Sequence, residues 1–154
     1  MKQIEVNSEG WCSLIRTIAS DYADGKLIPH EWLRKRFGLE NLRMKDFDNT
    51  EDFIEAIQMQ QFSYMTLVDT LRWQLLEDQK IYIKNIRGDG YQIVQPTEQV
   101  QYGYDQFLRD FKKAVKDANL IMQNVKSVPS EQQKKDNDLR AKCALLGQMV
   151  NGMK

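Results

Sequence analysis

Few residues of this chain have the types and spacing that catalysis or metal binding requires. Its single histidine, His30, stands beside Pro29 at the start of a predicted helix, and its two cysteines, Cys12 and Cys143, lie far apart. A structural zinc site usually needs about four Cys, His or carboxylate ligands at short spacings. We therefore expect no metal site, no cofactor and no enzymatic activity.

Two further motifs favour structure over chemistry. One is a cluster of carboxylates at Asp46, Asp48, Glu51, Asp52 and Glu55. It lacks the glycine and distal glutamate of a calcium loop and is typical of a helix N-terminus, where acidic groups complement the helix dipole. The other is Gly88-Asp89-Gly90, which lies between two predicted strands and not before a helix, so it does not predict a phosphate-binding loop.

Composition limits the class of protein. The 154 residues contain 22 Lys or Arg and 22 Asp or Glu, so no net charge draws the chain onto nucleic acid. No apolar run approaches the roughly 18 residues of a membrane span, and residues 1–10 lack the apolar segment of a secretory signal. We expect a cytoplasmic protein with free thiols and no membrane partner.

Hydrophobic periodicity predicts the elements of the first 80 residues. Residues 1–7 are expected to form a short strand, followed by helices over residues 8–22 and 30–37. Residues 39–49 are predicted to be a loop, and Asp48-x-x-Glu51 is a candidate capping box for the next helix. Residues 50–77 contain no Gly or Pro and predict two helices with a break near residue 62, or one long helix. The three tryptophans fall on apolar stripes, so we expect all of them in the core: Trp11, Trp32 and Trp73.

Residues 71–95 have the most informative pattern. The helix containing Leu71-Arg72, Leu75 and Glu77 precedes two strand-like segments joined at Ile86-Arg87-Gly88-Asp89-Gly90-Tyr91, which predicts a β-hairpin. This pattern resembles the recognition helix and wing of the OmpR/PhoB-type effector domain. The resemblance covers roughly residues 62–95 and departs from the family at residues 64–67. It implies a mainly α (α+β) fold, a winged helix-turn-helix over residues 1–96 with a small β-hairpin wing.

The rest of the chain, residues 97–154, predicts a two-helix extension. After a polar connector over residues 97–103, apolar residues recur with the 4,3 spacing of a helix seam from Tyr104 to Val125, and again from Leu139 to Val150. The expected structure is a C-terminal helical hairpin, whose seam either packs within the monomer or forms a homodimer or docking surface. The candidate partner-binding residues are Tyr104, Leu108, Phe111, Val115 and Met122.

The charge map leads to one functional hypothesis and one alternative. Residues 26–45 carry six basic and two acidic side chains, whereas residues 46–79 carry eight acidic side chains and only Arg72. The leading hypothesis is a winged-helix protein that binds double-stranded DNA as a transcriptional regulator. Its candidate contacts are Arg34, Lys35, Arg36 and Arg43 to phosphates, Arg72 and Gln74 to the groove, and Lys84 and Arg87 from the wing.

The alternative keeps the scaffold and changes the partner. The acidic surface between Asp46 and Asp78 would then face a basic protein, and the chain would be a protein-interaction module. A phage- or mobile-element-encoded modulator of a host complex is one example of this class.

Overall fold

A computed structural model describes residues 2–39 and 41–153 and is mainly helical, with a small antiparallel sheet. The chain divides into two compact units, Met1–Gln99 and Val100–Lys154, close to the predicted boundary at residue 96. The elements are α1 (Glu9–Asp21), β1 (Leu27–Pro29), α2 (His30–Arg36), a 3-10 turn (Met44–Asp46), α3 (Thr50–Gln79), β2 (Ile83–Ile86), β3 (Gly90–Ile93), α4 (Pro96–Gln123) and α5 (Ser130–Asn151).

The core of the first unit joins α1, α2, the second half of α3 and the sheet. The Ser8 side chain accepts a hydrogen bond from the Trp11 backbone N–H, which satisfies one of the free donors at the start of α1. Trp11 is fully buried and stacks on Phe37, with ring centroids 6.0 Å apart. The remaining buried side chains include Leu14, Ile18, Ile28, Leu33, Tyr64, Val68, Leu71, Leu75, Ile83 and Ile93.

The sheet has the order β1-β3-β2, and the predicted hairpin is confirmed. Gly88 adopts φ +87° in its turn, a conformation that favours glycine. The predicted strand over residues 1–7 is wrong for its described part, since residues 2–7 form no strand and the Ile4 N–H donates to the Phe37 carbonyl. The strand that pairs with the other side of β3 is β1. It has three residues, ends in Pro29 and is too short to show an alternating apolar pattern in the sequence.

One continuous helix of 30 residues, α3, replaces the predicted pair, so the one-helix alternative is correct. The glutamines around residue 60 interrupt the apolar stripe but are good helix formers and do not break the backbone. The capping box at Asp48 is wrong by one residue, because the Asn49 side chain accepts from the Asp52 backbone N–H at 2.8 Å. The helix ends at Gln79, and the capping residue Lys80 has φ 60°.

The second unit contains most of α4 and the whole of α5. The predicted connector over residues 97–103 is wrong, because α4 already begins at Pro96, where proline's fixed φ suits a first helical turn. The two helices are antiparallel: the Arg140 guanidinium donates to the Met122 carbonyl at 2.9 and 3.1 Å, and the Cys143 thiol donates to Asn119 Oδ1 at 3.6 Å. The helices come close at Gly147, where a Cβ would lie 3.2 Å from Val115 Cγ1.

Candidate interaction surface

The second half of α3 has a buried face and an exposed face of opposite character. Its buried face carries Tyr64, Leu67, Val68, Leu71 and Leu75. On the other side, four exposed residues fall within an arc of about 80° at 100° per residue. We call this set the outward stripe: Phe62, Met65, Asp69 and Trp73.

The outward stripe is apolar and open to solvent. Phe62 is 70% exposed, Met65 59% and Trp73 61%, so the prediction that Trp73 packs in the core is wrong. Trp73 lies on the side of α3 opposite Leu71 and Leu75, because a helix turns by about 100° per residue. Large aromatic and Met side chains placed together on a surface are typical of protein interfaces.

The one basic residue of α3, Arg72, points toward the hairpin. Its Nη2 donates to the Tyr82 hydroxyl at 3.0 Å, and its guanidinium carbon lies 5.7 Å from the Tyr82 ring centroid. Its Nη1 is 3.5 Å from a carboxylate oxygen of Asp69, an exposed pair that contributes little stability. Arg72 therefore connects α3 to the strand region and adds no free cation to the outward stripe.

Gln74, the second predicted groove contact, is bonded inside the first unit. Its Oε1 accepts from the Trp11 indole N–H, and its Nε2 donates to Asn7 Oδ1 at 2.9 Å. Both ends of the amide are thus occupied by α1 and the segment before it. This bond could not be predicted from the sequence, because Trp11 and Gln74 are 63 residues apart and meet only through packing.

The basic residues of α2 point in different directions. Arg34 reaches α3, where its Nη2 donates to Gln61 Oε1 at 2.9 Å and its guanidinium carbon lies 4.5 Å from the Tyr64 ring centroid. Arg36 stacks over Trp32, with its guanidinium carbon 5.0 Å from that ring. Lys35 is exposed between them. Three consecutive helical residues fan around the axis and do not form one basic patch.

The remaining predicted DNA contacts lie on separate segments. Arg43 is exposed just before the 3-10 turn, Lys84 is half-buried on β2, and Arg87 is exposed beside the hairpin turn. The eight predicted contacts are thus divided among α2, a loop, α3 and the hairpin, and Arg34, Arg72 and Gln74 are hydrogen-bonded within the first unit.

His30 joins the start of α2 to α3 and β3. Its Nδ1 lies 2.7 Å from the Tyr64 hydroxyl, and its ring packs edge-on against Tyr64 and Tyr91. Burial and the neighbouring Arg34 lower the pKa of His30, while burial raises the pKa of Tyr64. Both side chains are therefore neutral near pH 7. This arrangement is a structural link between elements.

The five predicted partner-binding residues of α4 are all half-buried: Tyr104, Leu108, Phe111, Val115 and Met122. Val115 faces Gly147 of α5, and the Met122 carbonyl accepts from Arg140. Part of this seam is thus used within the second unit.

Within residues 2–39 and 41–153, no three His, Cys, Asp or Glu side chains are placed to hold a metal ion. None of the helices described is long and apolar enough to cross a membrane. Comparison with known proteins gave no match to a family model, to a curated protein or to a solved structure.

Proposed function

We propose that the first unit is a protein-interaction module on a winged-helix scaffold, with the outward stripe of α3 as its contact surface. The element order α1-β1-α2-α3-β2-β3, with β3 between β1 and β2, supports the scaffold assignment. In that scaffold α3 takes the place of the recognition helix, and the β2-β3 hairpin takes the place of the wing.

The observation that carries the proposal is the chemistry of the outward stripe. A recognition helix that reads DNA needs hydrogen-bond donors for base edges and cations for phosphates. Here Phe62, Met65 and Trp73 offer apolar surface, and Asp69 repels phosphate. The unit as a whole carries 12 Lys or Arg against 16 Asp or Glu, so its net charge also opposes DNA.

The chemistry of the stripe defines the partner it fits. Aromatic side chains anchor interfaces by filling apolar pockets, and methionine adapts to irregular surfaces. Asp69, between these side chains, and Glu55, further along the same helix, favour a partner that presents Lys or Arg beside its apolar pocket. A modulator that docks on another protein complex has this kind of surface.

The test is capture of a partner from cells that encode the chain. We expect the wild type to retain a protein that is lost when Phe62→Ser and Trp73→Ser are combined. Leu120→Ser is the matched control, since Leu120 is 63% exposed on α4, outside the stripe. A set of captured proteins that is the same for wild type and the double variant would contradict the proposal.

DNA binding is the second candidate, and the exposure of Lys35, Arg36, Arg43 and Arg87 favours it. These cations suit phosphate contacts, which position a protein on a duplex but read no sequence. On this second proposal the chain would be a weak, sequence-tolerant DNA binder, because Arg72 and Gln74 are already bonded and Asp69 occupies the groove-facing side.

A further inference from the structure

The second unit has one apolar face that its own two helices do not cover. Relative to the α4 residues that meet α5, Ile121 and Val125 lie on one flank of α4, and Leu139 lies on the adjoining flank of α5. A cleft lined by these three side chains places both flanks on the same side of the pair. The face continues along both helices, and each member is at least half exposed: Phe107, Ile121, Val125, Leu139, Leu146 and Met149. We call it the hairpin face.

We propose that the hairpin face pairs with the hairpin face of a second copy of this chain to form a four-helix bundle. Two helices alone cannot enclose a hydrophobic core. When two such pairs stack, the apolar face of each pair forms half of a shared core. The helices have 28 and 22 residues, lengths of about 42 and 33 Å. A two-fold pairing uses the same surface on both copies, so one apolar face is sufficient.

Charge on and beside this face favours a second copy over an unrelated partner. Lys142 falls on the same flank of α5 as Leu146 and Met149, and Asp117 on the outer flank of α4 beside Ile121. Because Arg140 lies opposite Met122 and Cys143 opposite Asn119, Lys142 stands about 4.5 Å along the axis from the level of Asp117.

A two-fold axis parallel to the helices leaves the position of each residue along that axis unchanged. It packs α4 of one copy against α5 of the other. Lys142 of each copy then meets Asp117 of the other, and both ion pairs form together. The chain thus supplies the acid and the base that its own pairing needs.

Analytical ultracentrifugation of the full chain tests this proposal. We expect the wild type to sediment at twice the chain mass of 18.1 kDa at tens of micromolar. Ile121→Glu, which places a charge in the bundle core, is expected to give the single-chain mass. Leu120→Glu is the matched control: Leu120 is the neighbouring residue, is 63% exposed against 73% for Ile121, and lies on the other side of α4, so this variant is expected to stay dimeric.

Exchanging the charges of Asp117 and Lys142 tests whether these two residues pair between the copies. Asp117→Lys and Lys142→Asp are each expected to weaken self-association by about tenfold, which is 1.4 kcal/mol, and the double variant is expected to restore it. Circular dichroism of each variant separates dissociation from unfolding. A monomeric wild type, equal dissociation by Leu120→Glu, or a double variant no tighter than the single ones would each overturn the proposal.

The inference does not rest on the proposed function of the first unit. Phe62→Ser with Trp73→Ser is expected to leave the dimer intact, whereas dissociation by that pair of changes would move the dimer contact to the outward stripe and overturn the role of the hairpin face.

Discussion

At the residue scale, three of the side chains that were candidate DNA contacts bind partners inside the first unit. Arg34 binds Gln61 and stacks on Tyr64, Gln74 bridges Trp11 and Asn7, and Arg72 binds Tyr82. Each of these bonds joins segments that are distant in sequence or depends on the way a helix faces the sheet. Residue type alone therefore suggested DNA contacts where packing produced internal ones.

The His30–Tyr64 contact predicts a specific dependence of stability on pH. The folded-state pKa of His30 is lowered, so the unfolded chain binds this proton more readily. The stability linked to His30 is complete above the ordinary value of about 6.5 and falls as the pH drops toward the folded-state pKa. Urea unfolding at pH 7.5 and 5.5 is expected to show this loss.

His30→Asn is the control for this measurement, because His30 is the sole histidine in the chain. Any loss of stability caused by carboxylates remains in the variant, whereas the part due to imidazole protonation disappears. An equal loss between pH 7.5 and 5.5 in wild type and variant would contradict the assignment.

At the scale of elements, sequence patterns correctly predicted the helices and the turn that depend on residues close together in the chain. The glycines around Asp89 predicted the hairpin, and Ser8 with the apolar stripe predicted α1. The 4,3 spacing predicted the central parts of α4 and α5. The short strand β1 was missed because three residues show no period. The sequence did not decide whether α3 is one helix or two. An interrupted apolar stripe is expected where a helix breaks, and also where one continuous helix extends beyond the core.

Replacement by alanine is expected to affect stability very differently at Gly90 and at Gly103. A Cβ at Gly90 would overlap the Ile28 carbonyl oxygen across the β1–β3 pair, so both strands would have to separate. We expect Gly90→Ala to lower the free energy of unfolding by about 2 kcal/mol, in the range of overpacked cores.

Gly103→Ala is the matched control for that change. Gly103 lies within α4 with no atom within 4 Å of an added Cβ, so alanine is expected to stabilise the helix by about 0.5–1 kcal/mol. Thermal unfolding of both variants measures the contrast. Equal melting temperatures for wild type and Gly90→Ala would contradict the close packing of β1 on β3.

At the scale of the whole molecule, each of the two units carries an exposed apolar surface. The outward stripe of α3 carries an aspartate and no free cation, and the hairpin face of α4 and α5 adjoins both an acid and a base. The sequence already contained both sets of residues at helical spacing. Which apolar residues stay outside was not readable from that spacing, because it depends on where the core ends along α3 and on which side of α4 receives α5.

We propose that the outward stripe of α3 binds protein and does not read DNA. Titration of the full chain with random duplex DNA at several salt concentrations distinguishes these two functions. We expect binding no tighter than the non-specific range of about 10⁻⁴ to 10⁻⁶ M at physiological salt, with a shallow salt slope and no change on Phe62→Ser or Arg72→Ala. Binding tighter than this range, weakened by Arg72→Ala and with a salt slope that Lys35→Ala reduces by about one, would contradict the proposal.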